Sequence, residues 1–232
     1  MSMNASRGLT LVEVLVTLVI LMLGLLGLSG LIIKASKLNY DSYQRQQALA
    51  VASDMAERMY ANQSPTQAIA SNLATARIYA LSAPLASPLG DPAMALMWSG
   101  LANGSVTDCA RVANCAPAQI ASYDLALWEG QLLGAGKRST ASAGNAGLGG
   151  ISSARGCVEG PVVWLSNTVA APANTFRITV AWQGDQPVPV SGRDEDLRNV
   201  AFCGKGLYMT REHAPDNADE YRRLVVLYQV IS

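Results

Sequence analysis

The sequence predicts an α+β protein in which a long N-terminal α-helix packs on a C-terminal antiparallel β-sheet. Three observations carry this reading: an apolar run from Val14 to Ile33 without an ionisable residue, an amphipathic continuation through Met59, and strict alternation from Phe176 to Gln183. At about 1.5 Å per helical residue the apolar run reaches roughly 30 Å, the thickness of a bilayer's hydrocarbon core. A cleaved secretory signal has a shorter apolar stretch ending in small residues, and the passage into Lys34 to Tyr40 offers no such site.

The helix is expected to continue beyond the apolar run. Ala48, Val51, Ala52, Met55 and Met59 recur at three- and four-residue steps, while Gln46, Gln47, Asp54, Glu57 and Arg58 fall largely elsewhere. One helix from about Leu9 to Tyr60 is the simplest reading. Gly24, Gly27 and Gly30 interrupt it; each costs about 1 kcal/mol against alanine, so they mark a segment that packs closely or can unwind.

Farther along, Ser64-Pro65 reads as a helix start leading to about Ala80, and Leu81 to Asp108 as an irregular loop rich in Pro, Ser and Gly. Cys115-Ala116-Pro117 restarts a helix with Ile120, Tyr123 and Leu127 on one face, ending near Gly134. Gly134 to Gly150 has the composition of a flexible loop. In the strand centred on Phe176, Ile178, Val180 and Trp182, the intervening Arg177, Thr179, Ala181 and Gln183 predict a half-buried strand. Further strands are expected in Cys157 to Leu165, Val200 to Thr210 and Tyr221 to Ile231. The expected organisation is residues 1–8 as a leader, 9–62 as the long helix with a membrane span in about 14–33, 63–150 as a helical and loop insert, and 151–232 as the sheet domain.

Half of the 232 residues are apolar and 15% are charged, with 17 cationic and 17 anionic side chains. That balance argues against a nucleic-acid partner, which needs a broad cationic surface. Partners should be proteins or the membrane. Basic residues do not settle orientation, since Arg7 precedes the run and Lys34, Lys37 and Arg45 follow it. The cysteines point outside: Cys109, Cys115, Cys157 and Cys203 are an even set suited to two disulfides in an oxidising compartment. Their spacing fits no zinc site, and the single histidine is His213. Three connectivities are open; Cys109 with Cys115 and Cys157 with Cys203 is preferred, closing a small loop and tying two predicted strands.

No enzyme motif survives inspection, and no cofactor or metal is called for. Gly134 to Ser139 resembles a phosphate loop only superficially, with Gln131 in place of its first glycine and Arg138 in place of the Ser/Thr. Asp194-Glu195-Asp196 lacks calcium-loop spacing, and Trp98, Trp128, Trp164 and Trp182 read as core or interface anchors.

The most specific residues are Arg7-Gly8-Leu9-Thr10-Leu11-Val12-Glu13, directly ahead of the apolar run. They resemble the class III leader of type IV pilins and type II secretion pseudopilins. That resemblance implies the pilin fold, cleavage between Gly8 and Leu9 by a prepilin peptidase, and N-methylation of Leu9. Leu9 departs from the phenylalanine usual there, which bears on methylation more than on cleavage. A carboxylate at the edge of a lipid-embedded segment costs a few kcal/mol if it is buried unpaired. The family supplies a cation, the methylated N-terminus of a neighbouring subunit, so Glu13 would set register in assembly. Such a heterologous contact repeats without closing and builds a helical filament.

Glu13-Val14-Leu15-Val16, Leu23 to Leu28, Asp108-Cys109, Cys115 to Gln119, Asp124, Trp128 and Thr179 to Gly184 together resemble the minor pilin family PilV, the type IV pilus modification protein. This implies a minor subunit that acts with other minor pilins, the major pilin and a PilY-type tip adhesin, in pilus assembly, adhesion and twitching motility. It also implies a single-pass inner-membrane protein with a periplasmic C-terminal domain that passes into the extracellular pilus tip. A minor pseudopilin of a type II secretion system shares the leader, and a membrane-anchored periplasmic binding module would need neither Gly8 nor Glu13.

Overall fold

The structure, a computed structural model, describes residues 10–64, 66–82, 87–93, 95–135, 150–165, 169–187, 202–208 and 220–232. A helix, α1, runs unbroken over Leu11–Ala61. The chain divides into two compact units, Met1–Tyr43 and Gln44–Ser232, and α1 contributes to both.

In the first unit every described side chain from Thr10 to Tyr40 is exposed, glycines included. A Cβ added at Gly24, Gly27 or Gly30 would meet nothing within 4 Å. This is the one described helix long and apolar enough to cross a membrane.

In the second unit α1 buries the stripe Gln44, Ala48, Ala52, Met55 and Met59. Three further helices follow, α2 (Ile69–Ser82), α3 (Leu96–Asn103) and α4 (Pro117–Leu132), and then a sheet of β1 (Arg155–Glu159), β2 (Thr175–Gln183) and β3 (Arg222–Val230) in the order β1-β2-β3, antiparallel throughout. The long helix and the antiparallel sheet together are the α+β architecture of the pilin fold. One core joins the α1 stripe to Tyr79 of α2, to Ala121, Leu125 and Trp128 of α4, and to Phe176, Ile178, Val180 and Trp182 of β2. Trp128 reaches across it and donates its indole N–H to the Val51 carbonyl at 2.9 Å. Its ring leaves no room for a side chain at Gly156, where a Cβ would come within 2.5 Å of it.

The structure corrects several sequence expectations. β2 is buried on both faces except at Gln183, because a second layer covers the side carrying Arg177, Thr179 and Ala181. Arg177 pairs there with Glu159, and the turn-forming segment 202–208 lies over the sheet, with Gly204 against Ala181 and the Cys203 carbonyl accepting from Arg222 at 3.2 Å. The described part of the expected strand Val200–Thr210 is therefore a covering turn rather than a strand; residues 200, 201, 209 and 210 lie outside the described residues.

The expected loop Leu81–Asp108 contains α3, and Leu89 within it bridges to Gly156. The α2 helix begins at Ile69, five residues after Ser64. Strand β1 is short and ends at Glu159, ahead of cis Pro161. On α4 the residues packed into the core are Ala121, Leu125, Trp128 and Leu132, and Ile120, Tyr123 and Leu127 are only half-buried. Two buried carboxylates, Asp124 and Glu129, displaced the expected face.

Both disulfides are formed. Cys109 joins Cys115 and Cys157 joins Cys203, with Cα separations of 5.9 and 5.8 Å. The first closes the turn before α4, where Pro117 occupies the first helical position and the Gln119 side chain accepts the Ala116 N–H at 2.9 Å. The second staples the covering segment 202–208 to β1, which explains how a stretch without regular structure holds its place over the sheet.

Candidate functional site

The sequence-predicted residues fall at two places. Gly8 and Leu9 lie outside the described residues, as do His213, Asp194-Glu195-Asp196 and most of the Gly134–Gly150 segment. Glu13 lies in the first turn of α1 and is exposed. The four cysteines are in the second unit, two in the turn before α4, one on β1 and one in the segment that covers the sheet.

The start of α1 is built by Thr10. Its hydroxyl oxygen accepts the Glu13 N–H at 3.3 Å, and its carbonyl accepts the Val14 N–H at 3.3 Å. A threonine accepting from the third residue of a helix is an N-cap, satisfying one of the donors a helix start leaves open. Sequence reasoning passed over this role, although Thr10-x-x-Glu13 is the spacing of a capping box. With the backbone N–H of Glu13 committed to Thr10, its carboxylate lies in the first turn of the helix, at the positive end of the helix dipole.

The polar side chains inside the apolar run look after themselves. Thr17 donates to the Val14 carbonyl at 2.9 Å and Ser29 to the Leu26 carbonyl at 2.8 Å. Such back-bonding removes hydroxyls that apolar surroundings would otherwise leave unpaired. Glu13 is thus the ionisable group at the head of a helix whose next twenty residues ask for nothing but apolar contact.

The second unit holds a different polar arrangement. Arg58 of α1 bonds Asp54 at 2.7 Å and Asp124 of α4 at 3.1 Å. The Tyr79 hydroxyl of α2 donates to the other Asp124 oxygen at 2.7 Å, and Asn62 donates to the Tyr79 oxygen at 3.0 Å. Burial pushes the Asp124 carboxyl above its ordinary range, against the opposing pull of Tyr79 and Arg58. Burial and the Asp124 charge together push Tyr79 well above the usual phenol range. For Arg58, burial works against its charge, but the bonds to Asp54 and Asp124 prevail and raise it.

On the far side of α4, Glu129 accepts the Trp98 N–H at 2.7 Å and the Gly90 N–H at 3.5 Å, so that a carboxylate from one helix caps the start of α3. Burial raises its carboxyl as well. These groups brace helices against one another.

Comparison with known families bears on the first place only. Residues 3–29 match the family described as the prokaryotic N-terminal methylation motif. No curated protein and no solved structure matches the chain. The match takes in Met3 to Gly8, Thr10, Glu13 and most of the apolar run, and it supports a type IV pilin-like protein, of a pilus or of a pseudopilus. With the exposed apolar helix it fits a membrane-anchored protein of that kind.

Proposed function

We propose that the chain is a minor pilin subunit, of the PilV type, that takes part in initiating a type IV pilus and building its tip. The observation that carries this is the methylation-motif match over residues 3–29, set directly on an exposed apolar helix headed by Glu13. A prepilin peptidase cuts between Gly8 and Leu9 and the new Leu9 amine is methylated. The Glu13 carboxylate then takes the methylated amine of a neighbouring subunit, an ion pair whose value rises as lipid or packed helices exclude water. Before assembly the helix holds the subunit in the inner membrane with the disulfide-bearing domain in the periplasm. Other minor pilins, the major pilin and a PilY-type adhesin are its partners. The role is structural rather than enzymatic.

The intact mass of the chain from cells with an active prepilin peptidase tests the processing: loss of Met1 to Gly8 plus one methyl group is expected, and persistence of the Met1 form overturns the reading. Glu13→Ala should be processed and should accumulate normally, yet its amount in sheared surface filaments should fall by roughly tenfold or more, the consequence of losing an ion pair worth above about 1.4 kcal/mol. Normal incorporation would remove Glu13 from the assembly step. Absence of the wild-type chain from surface pili would move it to a pseudopilus.

A further inference from the structure

β3 is an outer strand of the sheet, and its backbone groups divide between two sides. The Gly184 N–H bonds the Tyr221 carbonyl at 2.8 Å and the Ile231 N–H bonds the Asn174 carbonyl at 3.1 Å, both in register with the ladder. Bonded pairs alternate along an antiparallel ladder. The odd-numbered residues 223 to 229 therefore turn their backbone groups toward β2, and Leu224, Val226, Tyr228 and Val230 turn theirs away. The Val230 carbonyl takes the Gln229 side-chain amide at 3.1 Å. That leaves the N–H and C=O of Leu224, Val226 and Tyr228 without a backbone partner among the described residues.

The opposite edge of the sheet is treated differently. Gly156 of β1 has both its outward N–H and its C=O bonded to Leu89, at 2.9 Å each. Bare edges in soluble domains are usually blunted by charge, proline or a bulge. From Leu224 to Val230 there is neither a charged residue nor a proline, the two arginines of β3 lying at its start, and the register runs unbroken from Thr175↔Val230 to Gln183↔Arg222. The Tyr228 side chain reaches over the sheet to the segment that follows β1 and donates its hydroxyl to the Leu165 carbonyl. That segment meets residues 169–171 through Leu165 to Val169 and Ala171 to Val163 bonds of 2.8 Å, and its Val162 N–H bonds the Thr175 carbonyl at 2.7 Å on the side of β2 that faces β1. It leaves Val163 69%, Trp164 51% and Val169 50% exposed, and no ionisable residue occurs from Pro161 to Asn174.

We infer that the outer edge of β3 receives an extended segment of a partner protein, which adds to the sheet as a further strand. The occupant is fixed by what the edge offers. Donors and acceptors alternating at about 3.3 Å per residue are met by another extended backbone, and lipid cannot meet them. The stretch Leu224 to Val230, which carries no charge, selects a segment with apolar side chains at alternate positions. A second copy is the poorer fit, since two-fold antiparallel pairing centred on Val226 would set Arg222 of each copy against Val230 of the other. The inference rests on the sheet alone and does not depend on the filament reading.

Val226→Pro is the discriminating variant. It removes an outward N–H and leaves the ladder to β2 intact, a setting in which an edge strand tolerates proline. Val226→Thr keeps the N–H. A photo-cross-linking side chain at position 230 of the full-length chain, half-exposed at the end of the same edge and expressed in its own cell envelope, supplies the readout, with the cross-linked peptides identified by mass. Cross-links to an extended apolar segment of another protein, kept in Val226→Thr and reduced roughly tenfold in Val226→Pro, are expected from the loss of backbone bonding. Cross-links that persist in Val226→Pro, that reach β3 of a second copy, or that reach only lipid or nothing overturn the inference. If Val226→Pro does not fold, as judged by protease resistance, Val226→Lys places a charge on the same edge and should give the same loss.

Discussion

The stretches of α1 on either side of Tyr43 follow opposite rules within one uninterrupted helix. Up to Tyr40 all described side chains are exposed and the internal hydroxyls bond backbone three residues away. From Gln44 onward one stripe is fully buried, and polar groups find partners far along the chain, as when Arg58 meets Asp124 or Gln44 accepts the Ser152 N–H at 2.9 Å. The first stretch is adapted to a surrounding medium and the second to particular neighbours. Substitutions should therefore report on environment in the one and on fold in the other.

The sharpest contrast comes from placing the same charge in each. Ala52→Arg puts a guanidinium where alanine is completely buried, and loss of the folded second unit is expected, by more than about 4 kcal/mol. Leu21→Arg should leave the thermal midpoint of that unit unchanged and act on membrane insertion alone, at about 2.5 to 3.5 kcal/mol. Thermal unfolding and membrane fractionation of both variants measure this. A fall in midpoint for Leu21→Arg would erase the distinction.

Within the second unit the disulfides should differ. Removing Cys157–Cys203, which closes a separation of 46 residues, should cost about 4 kcal/mol, and removing Cys109–Cys115, with a separation of 6, about 2 kcal/mol. Denaturant titration of the paired serine variants gives both numbers. The larger loss should come with faster proteolysis of the segment 202–208, because that disulfide staples the segment over the sheet.

The smallest effect is a pH dependence. Burial raises the Glu129 carboxyl in the folded state above its value in the unfolded chain, so the folded form holds the proton more firmly. Stability from this group is then greatest below the ordinary glutamate range and declines as pH rises through the raised folded value. Relative to Glu129→Gln, which cannot titrate, the wild-type chain should lose ground as pH rises across that window. Chemical denaturation at several pH values would show it, and a gap that widens toward acid in favour of the variant would contradict it.

The two stretches of α1 also differ in how readily sequence gives them away. The apolar run and the stripe from Ala48 to Met59 are legible because one solvent or one core imposes one period. The buried face of α4 is not legible in the sequence, because Asp124 and Glu129 count as polar in any pattern but are buried by partners supplied from α1, α2 and the start of α3. β2 was read as half-buried because Arg177 and Thr179 look like surface residues, and only the Glu159 pair and the stapled segment make them interior. α3 is eight residues long in a Pro- and Gly-rich stretch, too short to show a period. At the candidate site, Gly8 and Glu13 announce themselves by motif, whereas the capping role of Thr10 depended on asking what each backbone donor does.

That self-contained bonding of Thr17 and Ser29 has a consequence for mobility between phases. From Val14 to Ile33 the helix carries no polar side chain that must exchange one partner for another when its surroundings change. Acyl chains and the apolar flanks of other helices are equivalent to it as far as hydrogen bonds go, so leaving one for the other involves repacking without rewiring. Under the proposed function, Glu13 is the described ionisable group at that end that takes a new counterpart on assembly, and so the residue at which a change of surroundings is recognised.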